Sequence, residues 1–573
     1  MNLNYPSDHR LIRATVKLTK QKKSRAKYAN KQIIKLNSEE EISSYKDNLS
    51  KLLSNTSDHQ KYASVQNYYD NITNAITNSL KLARRDRDKH KHHKILSIRT
   101  TTILQRRREL QKTKNKTRSM KNELSALYKL VNKNIIQDYA KHRQNIIERH
   151  LYSTGSTKKA YKELETNKTW IEGLKNLNKD TNKRTDIINT ATSFYKTLYS
   201  DKNEKTNSTK QGIIEKVKEI EEIEIIEAIK RLKTEKSPGP DNITNEALKL
   251  AYGILATPLT ELFNRILENS ETPTQWSESN IILIYKKGDP KDIGNYRPIS
   301  LLPTLYKLFS TIINSRISLT IEARQPVEQA GFRRGFSTVD HIHTLELIIE
   351  KYQEQQRPLY LAFIDYQKAF DTVTRASIWE SLNEQGVSEK YIEVIKNIYK
   401  NNLGRIKLEN VGPSFPIERG LRQGDPLSPT IFIAILETII SKIDWKKLGI
   451  YIKDSYLSHL RFADDIVILS ESSSQLQRMI KSLQAASADV GLKINLSKTM
   501  TMTNSCKTPI YINGSPLEYT ENYIYLGKTI SFDRKNNDTE IERRVQRTWN
   551  KYWSLKDIFK SNMPIKIKTK IMN

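Results

Sequence analysis

The spacing of apolar residues divides the chain into two parts. Residues 19–235 are polar, poor in glycine and proline, and place apolar residues at helical spacing, as at Leu124, Leu127 and Val131. From residue 236 onward, short apolar runs alternate with turns rich in glycine, proline and charge. This pattern predicts a helical N-terminal region followed by a domain of mixed strands and helices.

Two of the apolar runs enclose adjacent acidic residues. Runs 460–463 and 466–469 flank Asp464 and Asp465, which predicts a β-hairpin with two carboxylates at its tip or at the end of its first strand. Another apolar run ends at Asp365. An acidic turn in solvent is the ordinary interpretation of an isolated Asp-Asp pair, and the third carboxylate favours a shared site instead.

Such carboxylates are suited to divalent cations. Ionised carboxylates that lie close together repel one another, and Mg²⁺ removes the repulsion because it takes oxygen ligands. Asp365 stands 99 positions before Asp464, so the fold must bring them together. Two ions roughly 3.5–4 Å apart would then activate an attacking hydroxyl and stabilise a departing pyrophosphate. The chemistry that this trio suggests is nucleotidyl transfer.

Basic side chains follow a further strand-like run at residues 280–285. Lys286 and Lys287 occupy the turn after this run, and Arg297 lies just beyond it. A guanidinium offers forked donors to phosphate, and an ammonium acts as a point charge. These residues predict a cationic finger suited to a triphosphate.

Composition favours a nucleic-acid partner. The 573 residues carry a net charge of +32, with a pI near 9.7 and a mean hydropathy of −0.65. A polyanion is the natural partner, with an anionic membrane surface as the alternative. No run reaches the roughly 18–20 apolar residues that span a bilayer, and no signal peptide opens the sequence. The single cysteine, Cys506, excludes an internal disulfide framework and fits a reducing compartment.

Nine blocks between residues 237 and 531, in one order, resemble the reverse transcriptases of non-LTR retrotransposons, and most of all the RTE-type group of LINE elements. The blocks are SPGPDNI (237–243), IILIYKKGDP (281–290), NYRPISLL (295–302), EQAGFRRGFSTVDHI (328–342), FIDYQKAFD (363–371), RGLRQGDPLSPTIF (419–432), LRFADDIVIL (460–469), GLKINLSKT (491–499) and YIYLGKTIS (523–531). The resemblance implies an α+β, right-hand polymerase with fingers, palm and partial thumb, preceded by a basic helical extension.

The resemblance also implies a role for each matching residue. Two Mg²⁺ ions, or Mn²⁺ in their place, would be held by Asp365, Asp464 and Asp465. Lys498 would protonate the leaving pyrophosphate as a general acid, with a solvated lysine as the alternative. Phe370 would lie beneath the incoming sugar and exclude a 2′-hydroxyl, with a core phenylalanine as the alternative. The remaining predicted contacts are Lys286, Lys287, Arg297, Gln423 and Gly424 for the deoxynucleotide, and Tyr525, Leu526 and Gly527 for the primer grip.

We expect four segments. Residues 1–18 resemble the C-terminal end of an endonuclease/exonuclease/phosphatase domain, in which Asp8 and His9 would act on the attacking water. Residues 19–235 form the basic helical extension, 236–505 the fingers and palm, and 506–573 the primer-grip hairpin and the start of a thumb. Both ends look truncated, so no endonuclease activity is expected of this chain alone.

The expected function is RNA-directed DNA synthesis by target-primed reverse transcription. Template RNA, a DNA primer or target DNA, and dNTPs are the expected partners, with no membrane, and the expected location is the nucleus and cytoplasm. A group II intron maturase or an RNA-directed RNA polymerase is a second interpretation. A catalytically inactive relic that still binds RNA through its basic helices is a third.

Overall fold

The structure is a computed structural model that describes residues 34–36, 38–54, 64–84, 95–155, 157–164, 171–176, 179–181, 183–201, 217–561 and 563–572. The predicted endonuclease remnant at residues 1–18, with Asp8 and His9, lies outside these residues. In the described part of the chain, no helix is both long and apolar enough to cross a membrane.

Helices make up most of the N-terminal part. Three of them begin where a serine or threonine side chain accepts a backbone N–H, at Ser64, Ser97 and Thr117, and the longest one ends at Gly155 with φ +66°. The elements are α1 (Glu39–Ser54), α2 (Val65–Ala83), α3 (Ile98–Lys112), α4 (Arg118–Thr154), α5 (Thr157–Leu164), β1 (Leu174–Asn176), β2 (Lys179–Thr181) and α6 (Arg184–Tyr199).

Strands and helices then alternate, as the change of pattern predicts. The first group is α7 (Glu222–Arg231), α8 (Asn245–Leu250), α9 (Tyr252–Asn269), β3 (Glu278–Tyr285), β4 (Tyr296–Leu301), α10 (Thr304–Glu322) and α11 (Thr338–Glu354). The second is β5 (Tyr360–Ile364), α12 (Ala369–Thr372), α13 (Arg375–Glu384), α14 (Glu389–Tyr399), β6 (Leu403–Lys407), β7 (Val411–Pro416) and α15 (Ser428–Ser441).

The C-terminal part consists of short strands followed by helices. Its elements are β8 (Ile450–Ile452), β9 (Ser455–Leu457), β10 (His459–Phe462), β11 (Asp465–Ser470), α16 (Ser473–Asp489), β12 (Met500–Thr503), β13 (Tyr511–Ile512), β14 (Ser515–Pro516), β15 (Glu518–Tyr519), β16 (Asn522–Tyr525), β17 (Lys528–Ser531), α17 (Asn536–Ser554), α18 (Lys556–Phe559) and α19 (Ile565–Met572). The predicted α+β class is confirmed.

Two sheets organise the domain. One has the strand order β10-β11-β5-β12-β15 and the other β4-β3-β6-β7. β5 is buried on both faces, because Ala362 and Ile364 enter the main core while Leu361 and Phe363 enter a second core on the opposite face. Burial on both faces explains why this strand is a continuous apolar run.

The N-terminal helices share these cores. Tyr45 of α1 and Tyr69 of α2 pack in the main core with Trp276, and Tyr195 of α6 packs with Phe415 of the β4-β3-β6-β7 sheet. Helices α4 and α5 pack on α18 and α19, where Leu151 belongs to a cluster with the C-terminal helices. The boundary predicted at residue 235 therefore does not separate two independent cores.

The segment predicted as the start of a thumb contains a break between two helices. Helix α17 ends at Ser554 and α18 begins at Lys556. The buried side chain of Leu555 lies at this break and packs with Ile558 against Ile147 and Leu151 of α4. Tertiary packing, which the local pattern does not contain, accounts for the break.

Candidate active site

The Asp-Asp pair lies at a tight turn. Strands β10 and β11 pair with Phe462 opposite Asp465, so Ala463 and Asp464 form the turn between them. We call β10, this turn and β11 the aspartate hairpin. Ala463 has φ +56°, a conformation that costs energy for a residue with a side chain. Its N–H donates to Gln329 Oε1 at 3.3 Å, which helps to hold the turn.

The third aspartate reaches the same edge of the sheet. Strands β11 and β5 pair antiparallel with Ile466 opposite Ile364, so the next position along the ladder sets Asp465 across from Asp365. By alternation, both carboxylates continue the face that bears Phe363 and Leu361. The structure thus brings Asp365, Asp464 and Asp465 together, although 99 positions separate Asp365 from Asp464.

Repulsion and burial shape the electrostatics of this edge. Burial, reinforced by the charge of Asp365, raises the pKa of the Asp464 carboxyl. Burial and then the charges of Asp464 and Asp365 raise the pKa of Asp465 to about 6. The cation that opposes both shifts is Lys286, whose side chain is exposed at its surface but partly desolvated, so that its own pKa is lowered by this desolvation and by the charge of Arg297. The aspartates and the cations Lys286 and Arg297 are therefore close enough to influence one another's pKa values.

A loop that precedes β12 holds Asp365 in place. The N–H of Asn495 donates to the Asp365 carbonyl at 2.7 Å, and the N–H of Asp365 donates to Thr499 Oγ1 at 3.3 Å. Lys498, in the same loop, lies with Nζ 3.6 Å from Asp365 Oδ2 and is half exposed. The sequence analysis singled out Lys498 and missed Asn495 and Thr499, whose role depends on a contact across the sheet.

The donor set is chemically suited to a hard divalent ion. Oδ2 of Asp365 is buried and accepts no hydrogen bond from the described residues. As positioned, no three His, Cys, Asp or Glu side chains of the described residues form a group that could hold a metal. Carboxylates without a counter-ion repel one another, and a cation among them would remove that repulsion. Oxygen ligands of this kind are those that Mg²⁺ prefers.

The predicted fingers cations lie on one hairpin. Arg297 is exposed on β4 and pairs across the ladder with Ile284 of β3. Lys286 and Lys287 follow β3 directly and are exposed, and the N–H of Lys286 donates to the Asn295 carbonyl at 3.0 Å. Lys286 and Arg297 face the aspartates, as their mutual effects on pKa indicate.

Phe370 lies on α12, five positions after Asp365 in the sequence. It is partly buried and stacks on Phe432 of α15 with ring centroids 4.4 Å apart. Gln423 precedes α15 and donates from Nε2 to the buried carboxylate of Asp371 at 3.0 Å. Gly424 has φ +107°, and a Cβ there would lie 3.1 Å from the Ser300 carbonyl oxygen, so a side chain would strain this contact.

The predicted primer-grip residues form a hairpin turn. Strands β16 and β17 pair with Tyr525 opposite Lys528, leaving Leu526 and Gly527 as the turn. Tyr525 is buried, and Tyr523 of the same hairpin stacks on Phe363 of β5 with centroids 4.1 Å apart. The hairpin therefore covers the face of the sheet that ends in Asp365 and Asp465.

Two supports of the aspartate hairpin were missed by sequence analysis. Residues 328–331 lie beside β10, where Arg461 N–H donates to the Glu328 carbonyl at 2.8 Å, and a Cβ on Gly331 would lie only 2.2 Å from Ala463 N. Arg461 itself is 0% exposed and pairs with Glu437 of α15 at 2.8 Å. A fully buried arginine needs such a partner, and nothing in the local sequence identifies which glutamate supplies it.

Comparison with known families matches the region that holds this site to a polymerase family. The family model "Reverse transcriptase (RNA-dependent DNA polymerase)" matches residues 284–530, which include the aspartate hairpin, Lys286, Lys287 and Arg297, and the primer-grip turn. The chain therefore carries a reverse transcriptase domain, as the sequence blocks predict.

Several curated proteins of retrotransposons and mobile elements are similar to this chain. The chain is 28% identical over 46% of its length to the Retrovirus-related Pol polyprotein from type-2 retrotransposable element R2DM of Drosophila melanogaster, covering 25% of that protein. It is 27% identical over 52% of its length to the RNA-directed DNA polymerase from mobile element jockey of the same species, covering 34% of it. It is 28% identical over 58% of its length to the probable RNA-directed DNA polymerase from transposon BS, also of that species, covering 38% of it.

These relatives confirm the resemblance to non-LTR retrotransposon reverse transcriptases. The chain spans about a quarter to two fifths of the length of the curated relatives named here. A solved telomerase from Candida albicans matches with a TM-score of 0.33 and 12% identity, over 48% of this chain and 50% of that one, a likeness too weak to carry an argument. The RTE-type subgroup and the N-terminal endonuclease remnant stay predictions.

Proposed function

We propose that this chain is the RNA-directed DNA polymerase of a non-LTR retrotransposon. The observation that carries the proposal is the convergence of Asp365, Asp464 and Asp465 at one sheet edge, opposite Lys286 and Arg297. The net charge of +32 supports nucleic acid as the partner. Template RNA, a DNA primer at a nicked target, and dNTPs are the proposed substrates.

The proposed mechanism assigns a task to each group. Two divalent cations, when bound by the three aspartates, would supply Lewis-acid stabilisation of the attacking and leaving oxygens. Lys286 and Arg297 receive the triphosphate through charge-assisted hydrogen bonds. Lys498 stands 3.6 Å from Asp365 and is half exposed, so its ammonium can give a proton to the leaving pyrophosphate.

Discrimination and primer placement are assigned to other residues. Phe370 is assigned to the position beneath the sugar of the incoming nucleotide. Its ring stacks on Phe432 with centroids 4.4 Å apart, and this contact holds it in place to exclude a 2′-hydroxyl. The turn at Leu526 and Gly527 holds the primer end near the aspartates, since its hairpin packs on β5. We further propose that the protein copies element RNA by target-primed reverse transcription and that it is located in both the nucleus and the cytoplasm.

A second candidate is an RNA-binding protein without catalysis. It is favoured by the spacing of the aspartates, because no three acidic, His or Cys side chains of the described residues form a metal-holding group as they stand. The basic helices would suffice for RNA binding. The two candidates differ in whether purified protein extends a primer.

The test is extension of oligo(dT) on poly(rA) by purified protein with Mg²⁺ or Mn²⁺. We expect Asp464→Asn to reduce extension by about 100-fold or more, since losing several kcal/mol of charge stabilisation costs at least two decades in rate. RNA affinity, measured by fluorescence anisotropy, should stay nearly unchanged. The matched control is Asp454→Asn, an exposed aspartate in the preceding β8–β9 turn, which should leave both unchanged. No extension by wild type, or equal loss of extension and RNA binding in Asp464→Asn, would contradict the proposal.

A further inference from the structure

The buried carboxylate of Asp371 contacts Gln423 and is the neighbour in sequence of Phe370, two residues that are proposed to contact the nucleotide. Asp371 follows Phe370 on α12 and is 2% exposed. Its Oδ1 accepts from Tyr199 Oη of α6 at 2.9 Å, and its two oxygens accept from Gln423 Nε2 at 3.0 and 3.1 Å. The three side chains come from segments that are far apart in sequence, and α6 lies outside the residues matched by the family model.

The backbone ties the same segments together. Leu421 N–H donates to the Phe370 carbonyl at 2.6 Å, and Gly420 N–H donates to the Val373 carbonyl at 2.7 Å. Gly420 has φ +86°, and a Cβ there would lie 2.7 Å from the Asp371 carbonyl oxygen, so only glycine allows this approach. Phe370 and the loop that bears Gln423 therefore form one rigid unit.

The charge of Asp371 determines which way the Gln423 amide points. An ionised carboxylate can only accept hydrogen bonds, so the amide must turn its NH₂ toward Asp371. The amide oxygen is then the atom left to accept a donor from elsewhere. An asparagine at 371 could donate as well as accept, and would permit either orientation of the Gln423 amide.

Burying the charged carboxylate of Asp371 costs free energy. Burial raises the pKa of Asp371 to about 6, against the opposing effects of Tyr199, Lys368 and Gln423. Lys368 is the cation that faces it, and Tyr195 of α6 also lies close enough to sense its charge. A neutral side chain of the same shape would avoid the cost of a buried charge, so a functional reason for the acid is called for.

We propose that Asp371 and Tyr199 are positioning residues that lock the Gln423 amide with its carbonyl oxygen presented to the incoming nucleotide. The proposal rests on the proposed function, because it takes Gln423 to be a nucleotide contact. It adds α6, a helix of the N-terminal extension, to the nucleotide site. Tyr199 donates to Oδ1, one of the two oxygens that accept from the Gln423 amide, and so restrains rotation of the carboxylate.

The experiment measures dTTP binding separately from chemistry. Protein is bound to poly(rA) with an oligo(dT) primer that ends in a dideoxynucleotide, and the dTTP dissociation constant is measured with Mg²⁺ present. KM and kcat are measured in parallel on an extendable primer. The variants are Tyr199→Phe, Asp371→Asn, Gln423→Glu and the double variant Asp371→Asn with Gln423→Glu. The control is Tyr195→Phe, one turn earlier on α6, which removes a buried hydroxyl bonded to the Tyr296 carbonyl at 3.3 Å.

We expect Tyr199→Phe and Asp371→Asn to weaken dTTP binding and raise KM about three- to tenfold, the range for one hydrogen bond, with little change in kcat. Gln423→Glu should weaken binding more, because it sets two carboxylates against each other, and adding Asp371→Asn should recover most of the loss by restoring a donor–acceptor pair. Tyr195→Phe should leave dTTP binding and KM unchanged. The melting temperature of every variant is measured as well, so that a loss of stability is distinguished from a loss of dTTP binding.

Three outcomes would overturn the positioning role. They are an unchanged KM in Asp371→Asn, equal effects of Tyr199→Phe and Tyr195→Phe, and no recovery in the double variant. A wild type that binds dTTP with the expected variant pattern but extends no primer would refute the proposed function and leave the positioning role standing. A wild type that binds no dTTP would refute both.

Discussion

Replacing Glu437 by glutamine removes the charge that compensates Arg461 behind the aspartate hairpin. The two side chains lie 2.8 Å apart, with Arg461 0% and Glu437 14% exposed. Glutamine has nearly the same shape, and the Arg461–Glu437 contact is an ion pair that does not meet hydrogen-bond geometry, so the substitution isolates the effect of charge. The guanidinium stays ionised because arginine does not lose its proton in proteins.

The magnitude follows from distance and burial. At 2.8 Å and an effective dielectric constant of about 20, the Coulomb attraction is roughly 6 kcal/mol, part of which an amide dipole retains. Breaking a buried pair on one side typically costs about 3–5 kcal/mol. We expect Glu437→Gln to lower the free energy of unfolding by that amount, a large share of the roughly 5–15 kcal/mol that holds a protein folded.

The assay combines thermal melting with hydrogen exchange of the aspartate hairpin. Exchange should accelerate at residues 328–330 and 459–468, because Arg461 N–H bonds to Glu328 and its carbonyl accepts from Ala330. Primer extension should fall as well, since the hairpin carries Asp464 and Asp465. Lys498 and the fingers cations are untouched by the change.

The matched control is Glu354→Gln. Glu354 pairs with Lys351 at 2.7 Å, a similar distance, but both side chains are more than half exposed. Solvent-exposed pairs contribute about 0–1 kcal/mol, so this change should be nearly silent. If Glu437→Gln were within about 1 kcal/mol of this control, the reasoning that burial makes the Arg461 pair indispensable would be refuted.

Further predictions concern discrimination, packing and pH. Phe370→Val should admit ribonucleotides, raising their incorporation relative to dNTPs about tenfold or more in a competition assay, and an unchanged ratio would contradict its role. Gly331→Ala should destabilise the protein by about 1–3 kcal/mol, because the new Cβ would lie 2.2 Å from Ala463 N, whereas Gly253→Ala, with nothing within 4 Å, should be neutral or stabilising in the same melt. Folding raises the pKa of Asp371 from 3.8 to about 6, so the folded state binds its proton more tightly and the free energy of unfolding should fall by at most about 3 kcal/mol as pH rises through that window. Asp371→Asn should remove only the Asp371 share of this pH dependence in denaturation curves, because buried Asp465 and Asp464, whose pKa values are also raised, keep theirs; an unchanged slope would contradict the reasoning.

Local pattern alone was enough to predict the aspartate hairpin and the fingers turn. Apolar runs of strand-forming residues and an Asp-Asp turn specify β10 and β11, because strand and turn preferences act over a few residues. Asp365 at the end of a continuous apolar run likewise follows from a strand buried on both faces. The order of the nine blocks indicated a resemblance to the reverse transcriptases of non-LTR retrotransposons, and the relatives confirm this resemblance.

Only the tertiary structure decided which distant groups complete the site. Tyr199 comes from a helix within the predicted N-terminal extension. Nothing in the sequence distinguishes Glu437 from the other glutamates, and only the packing of α15 shows that it pairs with Arg461. Asn495 and Thr499 hold Asp365 through bonds across the sheet that have no local signature. Hydrogen bonds and ion pairs between remote segments depend on how helices and sheets pack. Local periodicity determines the elements, whereas packing determines the partners of their buried polar groups.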